Sequence, residues 1–367
     1  MKVEAAALRQ VSLPLRSAFV TSSGPMTERT CIIVEVWGEG LIGLGECVAF
    51  DGQWYSYETT GTAWEVMSEY LIPRLLGADI TGPEIVWDLF AQVQGHNMAK
   101  AALEMACWDL VARARGVSLS SLLGGTRTRV EVGVSIGLQE SPAALVELAG
   151  CYLAEGYRRI KLKIAPGQDT RNAQVVRAAF PTAPMQVDAN SAYSLEDIDV
   201  FRELDDLGLL LIEQPLGADD LLEHRDLQRR LKTPICLDES ILGPEDARNA
   251  LDLGSCRIIN LKPGRVGGHL RSLAIHELCI AHGAPLWCGG MLETNVGRAH
   301  NLALASLPGF LLPGDISASD RYYERDIATP SFALNSDSTI DVPTGPGIGV
   351  DLAPELVWDR EQEFIAG

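Results

Sequence analysis

The chain has 367 residues, of which 47% are hydrophobic and 22% are charged, and its formal net charge is −19. This length suits about two domains of roughly 100–200 residues each, and the hydrophobic content excludes an intrinsically disordered chain. The excess of negative charge repels nucleic acids and anionic membrane surfaces, so we exclude both as partners.

Targeting and redox signals point to an intracellular setting. The N-terminal stretch MKVEAAALRQ lacks the long apolar segment of a signal peptide, and no apolar run approaches the ~20 residues of a membrane span. The eight cysteines form no Cys-x-x-Cys pair, and Cys236 and Cys288 stand in apolar runs typical of buried strands. We therefore expect a cytoplasmic protein whose cysteines are reduced.

The first third of the chain predicts an α+β domain. The segment TCIIVEVWGEGLIGLGECVAF alternates apolar and polar residues, which predicts antiparallel strands joined by a turn at residues 38–40. The segment AKAALEMACWDLVARARG carries apolar residues at helical spacing and predicts a helix that ends near Gly116. The string LLGGT at residues 122–126 indicates a boundary, so we assign residues 1–125 to this domain.

Residues 126–324 repeat a strand-and-helix pattern. Short apolar runs that end in a polar residue alternate with helical segments, as in a parallel sheet covered by helices. The closing residues are separated by 28, 25, 25, 25 and 24 positions, with Trp287 a further 25 on; they are Ser135, Lys163, Asp188, Glu213, Asp238 and Lys262. With an eighth strand at residues 309–317, this period predicts an α/β fold of the TIM-type (β/α) barrel class. A doubly wound open sheet is the alternative.

Three of the closing residues are carboxylates on adjacent predicted strands, namely Asp188, Glu213 and Asp238. The active site of such a barrel lies at the carboxyl ends of its strands, so these acidic groups would meet there. Each one alone is more often a helix N-cap or a solvated charge, but three together repel strongly unless a cation lies among them. A ligand set of carboxylate oxygens, without histidine or cysteine, predicts Mg²⁺, with Mn²⁺ as the alternative.

Two lysines close the second and sixth predicted strands. These strands lie half-way round an eight-stranded ring from each other, so Lys163 and Lys262 would face each other across the mouth. A carboxylate substrate between them could lose its α-proton to one lysine and regain a proton from the other, with the metal stabilising the enediolate. The simpler interpretation of each lysine alone is an ion pair with a neighbouring carboxylate.

Lys161 precedes Lys163 by two residues, and alternate residues of a strand share a face. We therefore expect Lys161 to point inward beneath Lys163, where its positive charge would lower the pKa of Lys163. A general base needs such a shift because the pKa of a free lysine is about 10.4. The alternative is that Lys161 pairs with a carboxylate, which is compatible with that role.

Several strings of the predicted barrel resemble the muconate-cycloisomerase-like subgroup of the enolase superfamily; they are KLK at 161–163, VDAN at 187–190, IEQP at 212–215, LDES at 237–240 and NLKPG at 260–264. Over nearly the whole chain, longer strings resemble the o-succinylbenzoate synthase/N-acylamino acid racemase family, among them GYRRIKLKI, LLLIEQPL, TPICLDES, LKPGRVGG, WCGGMLETNVGRA and LPGDISASDRYY. The resemblance implies an enolase-like modified barrel with an N-terminal α+β capping domain, which a C-terminal segment at about residues 325–367 joins.

The resemblance also implies roles for individual residues. Asp188, Glu213 and Asp238 would bind Mg²⁺, while Lys163 and Lys262 would form the acid/base pair. The substrate site would be lined, together with Lys161, by Ser135, Asn190, Gly290 and Met291. Loops of the capping domain near residues 19–24 and 50–55 would close over the substrate's side chain, where an apolar group suits Phe19, Phe50, Trp54 and Tyr55. The alternative for these aromatic residues is ordinary core packing.

Two reactions of a small carboxylate substrate share such a site. One is racemisation of an N-acylamino acid, with N-succinylamino acids as good candidates, in which both lysines transfer protons. The other is dehydration to o-succinylbenzoate, in which Lys163 removes the proton and protonates the leaving hydroxyl while Lys262 acts mainly as a cation. The resemblance implies that one site can do both, and that the protein forms a homo-oligomer.

Other functions remain as alternatives. A cycloisomerase or a dipeptide epimerase would use the same metal and lysines, but the epimerases tend to carry Asp-x-Asp at the eighth strand, where this chain has only Asp315. A non-catalytic barrel that binds a ligand is the alternative from a different class. It predicts losses among the carboxylates or lysines, and none is missing.

The string GRVGG at residues 264–268 resembles a phosphate-binding loop. It lacks the Gly-Lys-Ser/Thr ending of that motif. We interpret it as the loop that joins the sixth strand to its helix.

Overall fold

The computed structural model describes residues 1–22 and 24–367. Ser23, which belongs to the predicted loop at residues 19–24, lies outside the described residues. The strands are β1 (Ala5–Thr21), β2 (Gly24–Gly38), β3 (Leu41–Cys47), β4 (Arg129–Glu131), β5 (Gly133–Ile136), β6 (Arg159–Lys163), β7 (Met185–Asp188), β8 (Ile212–Glu213), β9 (Ile235–Leu237), β10 (Ile258–Leu261), β11 (Leu286–Cys288), β12 (Ala328–Thr329), β13 (Thr339–Asp341), β14 (Asp351–Leu352) and β15 (Arg360–Ile365).

The helices alternate with the strands in the second part of the chain. They are α1 (Thr60–Val66), α2 (Ile72–Leu75), α3 (Ile85–Phe90), α4 (Asn97–Ala114), α5 (Leu119–Leu123), α6 (Pro142–Glu155), α7 (Thr170–Ala179), α8 (Ile198–Asp205), α9 (Leu222–Gln228), α10 (Pro244–Leu253), α11 (Pro263–Val266), α12 (His269–His282) and α13 (Asn295–Ala305). A π-helical turn, Met67–Leu71, joins α1 to α2. None of the described helices is long and apolar enough to cross a membrane.

The N-terminal strands form an antiparallel sheet in the order β15-β1-β2-β3. The predicted hairpin turn is confirmed, because β2 ends at Gly38 and β3 begins at Leu41. Glu39 and Gly40 between them both have positive φ, as two-residue hairpin turns require. The last strand of the chain, β15, pairs with β1, so the C-terminal segment returns to this sheet.

Helix α4 packs against β3 at very short range, and two glycines of β3 permit this approach. A methyl group on Gly45 would overlap the carbonyl oxygen of Ala102, and one on Gly43 would overlap that of Ala106. All but the ends of α4 are buried, so the helix lies between the sheet and the rest of the protein. The alternation of glycines in GLGE therefore reflects packing of a strand on a helix backbone.

In the described part of the chain, β5 to β11 form one seven-stranded parallel sheet whose strand order follows the chain order. Helices lie between successive strands, and the predicted closing residues lie at or next to the strand ends. This arrangement confirms the predicted strand-and-helix repeat and the barrel class of fold. Its interior and the surrounding helices share one apolar cluster, while the N-terminal sheet and its helices form a second.

The prediction of a regular eighth strand is wrong. Residues 309–317 form isolated parallel bridges, one between Phe310 and the first residue of β11 and one between Gly314 and the residue before β5. Pro313 lies between these bridges and has no backbone N–H, so it interrupts a continuous ladder. The segment still touches both edge strands and places Asp315 beside the strand ends.

We expect the Gly45→Ala variant to be destabilised by roughly 2–3 kcal/mol, because the added methyl group forces α4 away from β3. The matched control is Gly217→Ala, since a methyl group there meets open space and the backbone has no positive φ. Denaturant unfolding of both variants measures the difference. Equal stabilities would contradict the close contact between β3 and α4.

Candidate functional site

The carboxyl ends of the central barrel strands bring the predicted residues to one place. Strands β6, β7 and β8 end at Lys163, Asp188 and Glu213, while Asp238 and Lys262 directly follow β9 and β10. The parallel strands are paired in register, so these side chains lie at one edge of the sheet. The three carboxylates are completely buried, and the two lysines are at least nine-tenths buried.

Lys161 is the most highly connected charge in this group. Its Nζ lies 2.9 Å from Asp188 Oδ2, 2.8 Å from Glu213 Oε2 and 3.0 Å from Asp315 Oδ2, and it also lies over the ring of Trp287. Burial lowers the pKa of Lys161, but the three carboxylates outweigh burial and raise it well above its ordinary value. Lys161 therefore remains an ammonium group and pairs with carboxylates, as the alternative prediction had it.

Lys163 lies above Lys161 on the same strand face. Its Nζ is 2.5 Å from Asp188 Oδ2 and donates a hydrogen bond to Asn190 Oδ1 at 2.6 Å. The Asn190 amide in turn donates to Glu239 Oε1 at 2.9 Å, which holds the asparagine oxygen toward the lysine. Burial raises the pKa of Asp188, yet the ammonium groups of Lys161 and Lys163 outweigh burial and keep it below its ordinary value.

Lys262 lies among different partners. Its Nζ is 2.8 Å from Asp238 Oδ2 and donates to the hydroxyl of Tyr55 at 3.1 Å, while Arg265 binds the other oxygen of Asp238. Burial lowers the pKa of Lys262, but Tyr55 and the carboxylate of Glu239 outweigh it, so the pKa lies above its ordinary value.

The two lysines come from opposite parts of the strand order. Strands β7, β8 and β9 lie between β6 and β10, and they supply the three carboxylates. Lys163 and Lys262 nevertheless line the same cavity. The two lysines thus line a shared cavity, and the strands between β6 and β10 supply the three buried carboxylates.

All residues that we predicted for the substrate site line this cavity; they are Phe19, Phe50, Tyr55, Ser135, Lys161, Asn190, Gly290 and Met291. The aromatic members from the N-terminal part cluster, with the rings of Phe50 and Trp54 4.5 Å apart. Met26, Leu292 and Tyr322 also line the cavity, and sequence reasoning missed them. They carry no charge and no spacing signal, so only the assembled fold identifies them.

Sequence reasoning also missed Arg159. It is completely buried, its Nη1 lies 2.7 Å from Asp315 Oδ1, and its Nη2 donates to the carbonyl oxygens of Pro313 and Gly314. Burial raises the pKa of Asp315, but Lys161 and Arg159 outweigh burial and lower it to about 2. Arg159 precedes Lys161 by two residues, so the strand alternation that placed Lys161 inside could have found it.

The residues present fit a hard divalent cation by the chemistry of their donors. Asp188, Glu213 and Asp238 offer only carboxylate oxygens, which are the ligands that Mg²⁺ prefers. In the described part of the chain, however, no three acidic, histidine or cysteine side chains converge closely enough to hold an ion. Ammonium and guanidinium groups balance the carboxylates instead. The assignment of these three residues as metal ligands stays a prediction.

Comparison with known proteins covers the whole chain. Residues 3–124 match the family model described as mandelate racemase/muconate lactonizing enzyme, N-terminal domain, and residues 144–356 match the one described as enolase C-terminal domain-like. An enolase-superfamily member from Listeria innocua has a crystal structure that superimposes with a TM-score of 0.96 at 44% identity, over 100% of both chains.

Two curated relatives carry different enzyme names. An o-succinylbenzoate synthase from Geobacillus stearothermophilus is 51% identical over 365 residues, which cover 99% of this chain and 97% of the relative. An N-succinylamino acid racemase from Thermus thermophilus is also 51% identical over 365 residues, with 98% and 99% covered. Members of the enolase superfamily generally use Mg²⁺. The chain belongs to the o-succinylbenzoate synthase/N-succinylamino acid racemase family of the enolase superfamily, and it is an enzyme of the lyase or isomerase class.

Proposed function

We propose that this enzyme racemises N-acylamino acids, N-succinylamino acids foremost, and forms o-succinylbenzoate by dehydration at the same site. The observation that carries the proposal is the pair Lys163 and Lys262, whose ammonium groups line one cavity and come from strands β6 and β10. The equal similarity to a named synthase and a named racemase supports both reactions.

In this proposal Asp188, Glu213 and Asp238 hold Mg²⁺. When bound, the ion would supply positive charge that stabilises the charge developing on the substrate carboxylate and lowers the pKa of the neighbouring lysines. Lys161 stays an ammonium group between Asp188 and Glu213 and limits the repulsion between these two carboxylates.

Racemisation needs one proton to leave and one to arrive on opposite faces of the α-carbon. Lys163 Nζ, as a neutral amine, takes the proton on one face, and Lys262 Nζ, as an ammonium group, delivers a proton on the other. Lys163 is then protonated and Lys262 neutral, which is the state that the opposite enantiomer requires. Asn190 Oδ1 and the Tyr55 hydroxyl hold the two nitrogens, at 2.6 Å and 3.1 Å.

Dehydration needs only one face. Lys163 Nζ removes the proton and then donates it to the departing hydroxyl group, which leaves as water. Lys262 remains an ammonium group beside the substrate and balances negative charge. One arrangement of side chains thus serves both reactions. Lys262 transfers a proton in racemisation and acts only as a cation in dehydration.

The charges around the cavity favour an anionic, N-acylated substrate. Lys161, Lys163 and Lys262 line it, whereas Asp315 is the one acid among the described lining residues. Asp315 is engaged by Arg159 and Lys161, so it does not offer a free carboxylate to a substrate ammonium group. This pairing argues against a dipeptide epimerase. The aromatic cluster near Phe50 suits an apolar side chain.

The most direct test follows exchange of the α-proton in D₂O by proton NMR. The enzyme is incubated with Mg²⁺ and with each enantiomer of several N-succinyl- and N-acetylamino acids. We expect both enantiomers to exchange and to interconvert. A parallel assay with the hydroxy-acid precursor of o-succinylbenzoate measures dehydration. No exchange and no dehydration with any of these compounds would overturn the proposal.

We expect Lys262→Ala to abolish racemisation, because one face of the α-carbon then lacks its proton donor and acceptor. Exchange should persist for the one enantiomer whose α-proton faces Lys163. The matched control is Lys232→Ala, since the Lys232 side chain is exposed and its Nζ lies 3.9 Å from Asp206 in a surface ion pair. Normal racemase turnover in Lys262→Ala would rule out the two-lysine scheme.

Removal of divalent metal by a chelator should abolish both racemisation and dehydration, and added Mg²⁺ should restore them. The physical reason is that the substrate's developing negative charge would lose its main counter-charge. Thermal unfolding with and without chelator shows whether the loss comes from unfolding. Unchanged turnover in the chelated enzyme would contradict the metal assignment.

A further inference from the structure

The loop after the sixth barrel strand contains the GRVGG string; it begins at Lys262 and includes the single helical turn α11. Two backbone hydrogen bonds tighten it, since Val266 N donates to Lys262 O at 3.2 Å and Gly268 N donates to Pro263 O at 2.7 Å. Helix α12 begins at His269, directly after the loop. A shift at the start of α12 would therefore pass through this short hydrogen-bonded segment to Lys262.

The glycines of the loop face the N-terminal part of the chain. An added methyl group at each would overlap a side chain from that part, at Gly264 that of Val48, at Gly267 that of Trp87 and at Gly268 that of Glu104. Gly267 and Gly268 also have φ of +103°, a conformation that L side chains rarely adopt. The string is thus a surface on which the N-terminal domain packs.

Glu104, in the middle of α4, makes the strongest of these contacts. Its carboxylate is completely buried and accepts hydrogen bonds from His269 N at 2.8 Å and Leu270 N at 2.9 Å. A third donor, Trp108 Nε1 at 2.7 Å, holds the carboxylate from its own helix. The N-terminal domain therefore supplies the cap for the first amides of a barrel helix.

Trp87 adds a second contact on the same segment. Its Nε1 donates to the carbonyl oxygen of Gly267 at 2.9 Å. Trp87 and Glu104, from different helices of the N-terminal domain, thus bind the backbone of residues 267–270: Trp87 at Gly267, and Glu104 at His269 and Leu270. The position of Lys262 relative to the substrate then depends on how the two domains are joined.

We propose that Glu104 is a positioning residue for Lys262, which acts through α12 and the loop at residues 262–268 and does not touch the substrate. The inference rests on the proposed function, because it concerns the lysine to which we assign one of the two proton transfers. Three strands separate β6, which carries Lys163, from β10, which leads into this loop, so the effect should fall on one face of the α-carbon.

The test compares exchange on the two faces in Glu104→Gln. The glutamine side chain has an NH₂ group in place of one carboxylate oxygen. This donor would face an N–H donor that the carboxylate now accepts, and the repulsion loosens the start of α12. Lys163→Ala and Lys262→Ala first identify which enantiomer each lysine serves. We expect Glu104→Gln to slow exchange on the Lys262 face by about tenfold or more, as small misplacements do, with the Lys163 face changed much less.

A matched control is Asp109→Asn, on the same helix α4. Asp109 is a buried carboxylate that likewise accepts two backbone hydrogen bonds, but from Leu44 N at 2.8 Å and Ile348 N at 2.7 Å. We expect this variant to lose stability without changing the ratio of the two exchange rates. An equal change of the ratio in both variants would show a general structural effect and overturn the positioning role.

Trp87→Phe is the second variant, in case Glu104→Gln does not fold. It removes the hydrogen bond to Gly267 and keeps a smaller aromatic ring beside Lys100 and Arg271, and it should shift the ratio in the same direction by a smaller factor. An unchanged ratio in the folded variants overturns the positioning role alone. Absence of exchange in the unaltered enzyme would overturn the proposed function as well, so the two failures are distinguishable.

Discussion

The Lys161 ammonium group is the interaction on which the centre of this enzyme depends. It contacts Asp188, Glu213 and Asp315, which lie on or beside three other strands of the barrel, at 2.8–3.0 Å. Isolated charges in a protein interior cost several kcal/mol each, and removal of one partner from a buried set typically costs about 3–5 kcal/mol. Because Lys161 contacts three carboxylates at once, it offsets part of the cost of burying them at the mouth.

The same constraint explains why cations outnumber free acids on the cavity wall. Arg159 neutralises Asp315 from below, and Arg265 shares Asp238 with Lys262. The carboxylates are thereby occupied, and the ammonium groups of the lysines face the cavity. Three lysine side chains and a single paired acid on this wall favour a ligand that carries a carboxylate.

A second set of buried carboxylates joins the two domains. Glu46 on β3 accepts hydrogen bonds from Thr294 and Gly297 at the start of α13, as Glu104 does at the start of α12. These helices follow the seventh and sixth barrel strands, whose loops carry Met291 and Lys262. The N-terminal domain therefore contributes aromatic residues to the cavity wall and also holds the loops that complete the site.

Strand alternation and the 25-residue period are local properties, so the sequence by itself determined the barrel repeat, the residues at its strand ends and the inward direction of Lys161. It missed the broken eighth strand because Pro313 acts through a ladder that forms only between distant segments. Only the tertiary structure decided which charges pair, that Tyr55 binds Lys262 across 207 positions, and that Glu104 caps α12 across 165. Such contacts depend on how the two domains pack, and no local pattern encodes that packing. Once the charges are buried, each must have a partner, because an unpaired buried charge destabilises the fold.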